Sequence, residues 1–222
     1  MGTLYLIRHG QASFGADDYD LLSAMGRQQS VRLGQWFKTK GIVFEAALTG
    51  TLNRQIQTFA GIGEGMGSDI PVTRQAALNE YDSHAVIAAV HPQPLARPDS
   101  PELYRQYFRL LKAGLLQWAE GRVSPHGMPS YADFVSGIAG VLDEIRSQHS
   151  GNVLLVSSGG PIATAVGQVL GTSAETTIEL NLRIRNASVT EFAFTPKRHM
   201  LVSYNALPHF DAPEHASWIT YA

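Results

Sequence analysis

Cysteine is absent from the 222 residues. That removes disulfides, thiolate nucleophiles and Cys-ligated zinc together, and it fits a reducing compartment. Long apolar runs are missing too. A helical membrane span needs about 18 or more consecutive apolar residues, and no such run occurs. The opening MGTLYLIRHG lacks a charged segment followed by a long apolar one, so no secretory signal is expected. There is no excess of charge of one sign: 17 Lys and Arg stand against 19 Asp and Glu, a net of -2. This leaves no electrostatic case for nucleic acid or an anionic membrane as partner. Repeats and low-complexity blocks are also lacking. A soluble, cytoplasmic protein is the expectation.

What is there is ordinary globular composition, 44% hydrophobic and 16% charged. At this length one domain over 1–222 is the default. Short apolar runs at Thr3 to Ile7, Phe44 to Leu48, Ile70 to Thr73 and Asn152 to Val156 suit buried strands, with two more at Val189 to Phe194 and Met200 to Tyr204. Helical patterns alternate with them. One follows Ser23 and stops at Gly41, one holds Leu52, Ile56 and Phe59, and others cover 102–120, 131–149 and 162–170. GQASFGADDYD reads as an exposed loop and GIGEGMGSD as a glycine-rich connection. The alternation predicts an α/β three-layer sandwich, a mostly parallel sheet with helices on both faces. The irregular stretch from about 81 to 129 is then a helical lid insertion over one end of the sheet.

Ligands of such sheets bind beyond the carboxyl ends of the strands. Three polar clusters fall there: Arg8-His9-Gly10-Gln11, Thr49 to Arg54 with Gln57-Thr58, and Ser157 to Gly160. Arginine offers a permanently charged fork of donors matched to phosphate oxygens. Glycine lets backbone approach a ligand. Neutral histidine is a competent nucleophile. Arg54, one turn into a helix, adds a second cation and a favourable dipole. Taken singly, each has a plainer explanation as a loop or solvated helix residue. Their joint placement at three strand ends favours a phosphate site.

The blocks LYLIRHGQAS, LSAMGRQQSVRLGQWF, LTGTLNRQIQT, LNEYD, NVLLVSSGGPIATAV and RNASVTEF resemble, in order, the histidine phosphatase (phosphoglycerate mutase-like) superfamily. The resemblance implies His9 as a nucleophile that becomes phosphohistidine, and Arg8 and Arg54 as phosphate clamps. It also implies Glu80 as general acid and base, with Gln11, Ser158 and Gly159 around the phosphate. A small-molecule phosphate ester is the implied partner, and no metal or other cofactor is required. Phosphoryl transfer needs chiefly positioning and charge neutralisation, and a carboxyl group beside a lid can have its pKa raised by burial.

Two positions depart from that family pattern. Gly50-Thr51 stands where the family usually has Ser-Pro, with Thr51 a partial substitute. Ser158-Gly159 replaces a His-Gly pair whose histidine donates to the phosphoryl group. A charged hydrogen bond is worth roughly 1.5–3 kcal/mol against about 0.5–1.5 for a neutral one, so one or two decades of rate are at stake. His84, four residues after Glu80, is a candidate compensating donor, and an exposed lid histidine is the plainer alternative. Two readings compete with the phosphatase: a catalytically weak or inactive phosphate-ester-binding protein, and a phosphoglycerate mutase, disfavoured because no basic stretch follows the acid. The sets Asp82, His84, His91 and His209, Asp211, His215 lack regular metal-ligand spacing. Arg97, Arg105, Arg109, Lys112 and Arg122 are candidate substrate readers or simply solvated cations. The sequence leaves a homodimer open.

Overall fold

The computed structural model describes residues 1–12, 20–95 and 100–221. Alternation within β1 (Gly2–Arg8) explains why two layers of helices form. Leu4 and Leu6 enter one buried cluster, while Tyr5 and Ile7 enter another on the opposite face. A strand whose successive side chains are all apolar has to be covered on both sides.

β1 pairs in parallel with β4 (Asn152–Ser157), which pairs in parallel with β2 (Ala46–Thr49), and that with β3 (Val72–Arg74). On its other side β1 meets β5 (Val189–Thr195) antiparallel, and β5 meets β6 (Arg198–Ala206) antiparallel. The order is β3-β2-β4-β1-β5-β6. The sheet is therefore mixed and mostly parallel, as anticipated. Helices α1 (Ala24–Thr39) and α2 (Asn53–Met66) cover one face, with Leu33, Phe37 and Ile62 in its cluster.

Between β3 and β4 come α3 (Ser83–Ala88), α4 (Pro101–Ala119) and α5 (Tyr131–Gln148); after β4 come α6 (Gly159–Leu170) and α7 (Ala174–Asn181). α5 and α6 cover the second face through Ile138, Ile145, Ile162 and Val166. The segment 81–129 carries α3 and α4. Val86, Ile87, Leu111, Leu115 and Trp118 build a third cluster there with Ile178 of α7.

One expectation is corrected. GIGEGMGSD is not a connection up to Met66: α2 runs straight through it. The glycines serve packing. A Cβ on Gly65 would stand 2.1 Å from the Val31 carbonyl oxygen, and one on Gly34 equally close to that of Ile62. Bare backbone lets α1 and α2 touch, and this contact outweighs the roughly 1 kcal/mol that a helical glycine costs. The short α3 and α7 have no counterpart in the sequence reading, and both take their apolar partners from residues far along the chain.

Candidate active site

His9 follows β1 directly and is 3% exposed. Its amide donates to the Ser157 carbonyl at 2.8 Å, so the end of β4 sets where the ring begins. Nδ1 lies 2.7 Å from the Gly10 carbonyl oxygen. That oxygen can only accept, so Nδ1 carries the proton and, in a neutral ring, Nε2 keeps the lone pair. Burial holds the imidazole well below its usual pKa, and the charges of Arg8 and Arg54 push the same way.

Both arginines are almost wholly buried. Arg8 Nη1 donates to the carbonyls of Ile184 and Tyr221, each at 2.5 Å. Arg54, in the first turn of α2, donates from Nη1 to Asp20 Oδ1 at 2.8 Å. The other oxygen of Asp20 accepts from the Asn53 amide at 2.8 Å. A carboxylate thus lies at the guanidinium and helix start expected to meet phosphate. The sequence reading passed over Asp20, whose only signal is an acidic residue in the loop after the histidine.

Glu80 is part-buried, and both of its oxygens accept from the Gly160 amide, at 3.1 and 3.2 Å, inside the first turn of α6. Burial raises its carboxyl pKa; the Gly160 hydrogen bond and the fields of Arg54 and Arg8 work against that and lose. Tyr81 beside it accepts at its hydroxyl from Asn181 Nδ2 at 2.7 Å, linking the start of the 81–129 segment to α7.

A brace on the loop after β1 escaped the sequence reading. Gln29, wholly buried on α1, accepts from the Gln11 amide at 2.8 Å and donates to Thr220 Oγ1 at 3.0 Å. Thr220 donates in turn to Asn186 Oδ1 at 3.0 Å. Asn186 Nδ2 donates to the His9 carbonyl at 3.3 Å. His9 and Gln11 are thereby both tied through their backbone to the chain near 220. No local pattern marks a glutamine on a helix as such a bridge.

Other expected residues lie elsewhere. The Gln11 side chain accepts from Ser23 Oγ at 2.8 Å, so its oxygen serves the start of α1. Thr51 is exposed and bonded through its amide and hydroxyl to Asn79, with Asn79 Nδ2 at 2.7 Å from its Oγ1. Ser158 is wholly buried, and its Oγ accepts from Gln55 Nε2 at 2.9 Å; Gly159 follows it as the first residue of α6. His84 is exposed on α3, its ring edge-on to Tyr107 at 6.4 Å; the residue brought to Ser158 is Gln55 instead. Asp82 caps α3, and His91 Nδ1 meets the Gln93 carbonyl. Arg105, Lys112 and Arg122 form ion pairs with Glu102, Glu179 and Glu120. Arg109 is exposed, and Arg97 lies outside the described residues. Among the described residues no three His, Asp or Glu side chains are grouped to hold a metal, and no helix is long and apolar enough to cross a membrane.

Comparison with known proteins gives the fold and the family. A protein of Hydrogenobacter thermophilus provisionally named phosphoserine phosphatase 2 is 24% identical over 225 residues, 94% of this chain and 98% of that protein. The 2,3-bisphosphoglycerate-dependent phosphoglycerate mutase of Bartonella quintana is 36% identical, but over 87 residues, 36% of this chain and 42% of the mutase. The fold matches that of Entamoeba histolytica phosphoserine phosphatase, solved with 3-phosphoglyceric acid. Its TM-score is 0.65 at 22% identity, covering 94% of this chain and 99% of that one. Mycobacterial glucosyl-3-phosphoglycerate phosphatase matches with a TM-score of 0.63 at 22% identity, over 93% and 99%. The profile of the Histidine phosphatase superfamily (branch 1) matches residues 4–207, and the chain belongs to that superfamily.

Proposed function

We propose that the protein is a metal-independent phosphomonoesterase working through a phosphohistidine on His9. The observation that carries this reading is the contact of buried His9 Nδ1 with the Gly10 carbonyl, which leaves Nε2 its lone pair. His9 is held neutral with its proton on Nδ1, between two guanidinium groups, while Glu80 is held toward its protonated form. Nε2 attacks phosphorus as the ester P–O bond breaks, and the Glu80 proton goes to the departing oxygen. Glu80, now a carboxylate, takes a proton from water. The resulting hydroxide attacks phosphorus, the P–N bond breaks, and His9 returns neutral. Arg8 and Arg54 offset the charge on the phosphoryl oxygens at both steps. Asp20, bonded to Arg54 Nη1, competes with the phosphate for that guanidinium. The segment 81–129 serves as a lid, since it begins at Tyr81, beside the acid.

The test is hydrolysis of a chromogenic aryl phosphate in EDTA, with acid-labile, base-stable label trapped on the protein. Activity and label in the wild type, both lost in His9→Ala, support the reading. Activity that survives His9→Ala overturns it. Ser158, uncharged and tied to Gln55, supports a second reading, a slow or inactive binder of phosphate esters. That reading predicts phosphate binding with neither turnover nor trapped label. A mutase would transfer the label to a phosphoglycerate rather than to water.

A further inference from the structure

We propose that Gln55 is a positioning residue that turns Ser158 into a hydrogen-bond donor for the bound phosphoryl group; this rests on the phosphatase reading above. Four other serines in the described chain stand at helix N-caps, Ser23, Ser100, Ser130 and Ser173, and each accepts from an amide of its own helix. Such a cap is worth about 1 kcal/mol. Ser158 occupies the same position on α6 and makes no cap bond. The residue whose amide the other four use is Pro161 here, which has no N–H, and the Gly160 amide before it goes to Glu80. Ser158 Oγ accepts from Gln55 Nε2, 103 residues away in sequence.

The direction of that bond follows from the amide's other contacts. The second proton of Nε2 is committed to the Leu78 carbonyl at 2.9 Å, and Oε1 faces the Leu52 amide at 3.4 Å. A flipped amide would set its oxygen against the Leu78 carbonyl, so the orientation is fixed. Ser158 Oγ therefore receives from Gln55, and its own O–H must point elsewhere. Ser158 lies between two anchors of the reaction: the Ser157 carbonyl holds the His9 amide, and the Gly160 amide holds Glu80. Gln55 itself follows Arg54. The remaining proton is thus delivered where histidine, arginine and acid converge.

Both departures from the family pattern meet at this one side chain. Ser158 is bonded to it. At Gly50, a Cβ would stand 1.9 Å from Gln55 Oε1, so a side chain there would push the glutamine out of this orientation. Gly50, Gln55 and Ser158 form one coordinated set.

A double-mutant cycle tests the proposal, using Gln55→Met (matched in length, without a donor), Ser158→Ala and the pair. The readouts are kcat and KM for the aryl phosphate, with Tm alongside. Each single change is expected to lower kcat about tenfold, the size of one neutral hydrogen bond, with KM little moved. The pair is expected to be no slower than Ser158→Ala alone. Losses that multiply, or a Gln55→Met whose kcat is unchanged, overturn the proposal. A purely structural role would lower Tm equally in both backgrounds and leave the kcat losses independent. If Gln55→Met does not fold, Gln55→Glu takes its place: its carboxylate draws the serine proton to itself, and kcat must fall at least as far as in Ser158→Ala. A wild type without His9-dependent turnover would defeat the phosphatase reading and not this one. In that case the same four proteins are titrated with inorganic phosphate, where non-additive weakening is expected and additive weakening overturns the proposal.

Discussion

His9 and His209 are both buried histidines with depressed pKa values, at opposite extremes of usefulness. His209 sits in the turn after β6, wholly buried, its ring centroid 3.9 Å from that of Phe210. Burial, with help from Arg32 and His215, pushes it down to about 3. Neither of its ring nitrogens has a hydrogen-bond partner among the described residues. His9 is nearly as buried, but its Nδ1 proton is assigned by the Gly10 carbonyl, and both neighbouring cations are the buried Arg8 and Arg54 proposed to hold phosphate. Burial alone makes a neutral ring. A nucleophile also needs its tautomer chosen and a charge partner for the group it attacks.

The largest expected effect breaks the comparison outright. His9→Ala should reduce aryl phosphate hydrolysis at least about a thousandfold, while His209→Leu should stay within about threefold of wild type, since it touches no reacting atom. Equal losses would mean that both act only through the fold. Glu80→Gln should cost about 10²–10⁴ in kcat. In the wild type kcat/KM should fall as pH rises through the raised Glu80 pKa, because the acid is then lost. That alkaline limb should vanish in the variant, and its survival would assign it to another group. Thr220→Val, which removes the hydroxyl between Gln29 and Asn186, should lower kcat about tenfold, and Thr220→Ser should restore it; equal rates for the two would leave the brace without a role.

An effect that leaves the chemistry untouched lies in stability against pH. The unfolded chain takes up a proton on each histidine near pH 6.5, and folded His209 does not until about 3. Between those values acidification removes up to about 1.4 kcal/mol per pH unit for this one group, stability being greater at the higher pH. Folded His9 is shifted the same way. His209→Leu should therefore show a shallower loss of Tm between pH 6 and pH 4. An unchanged slope would show that His209 is hydrated or paired in solution.

Much of this was legible along the chain because its signals are local. The NVLLV run, Ser23 before the first helix and the tripeptide Arg8-His9-Gly10 each carry meaning within a few residues. Ser23 does cap α1, and Asn152 does open β4. The glycines of 61–65 misled for the same reason. Read locally they break a helix, and only the approach of α1 explains why one continues. Asp20 on Arg54, Gln29 under Gln11 and Gln55 on Ser158 left no local trace, since glutamine and aspartate are common on any surface.

Alternating apolar runs and turn residues determined, by themselves, that the chain forms a layered α/β sheet with its polar clusters at one edge. They also placed His9, Arg8 and Arg54 at those strand ends, while Glu80 was singled out by the family resemblance. Tertiary structure alone decided how deeply His9 is buried, which carboxylate holds Arg54, what stands beside Ser158 and what braces Gln11. Hydrogen bonds and burial between residues 34, 103 and 191 positions apart set those states. Protonation and donor direction belong to a packed neighbourhood, which exists only once the chain has closed on itself.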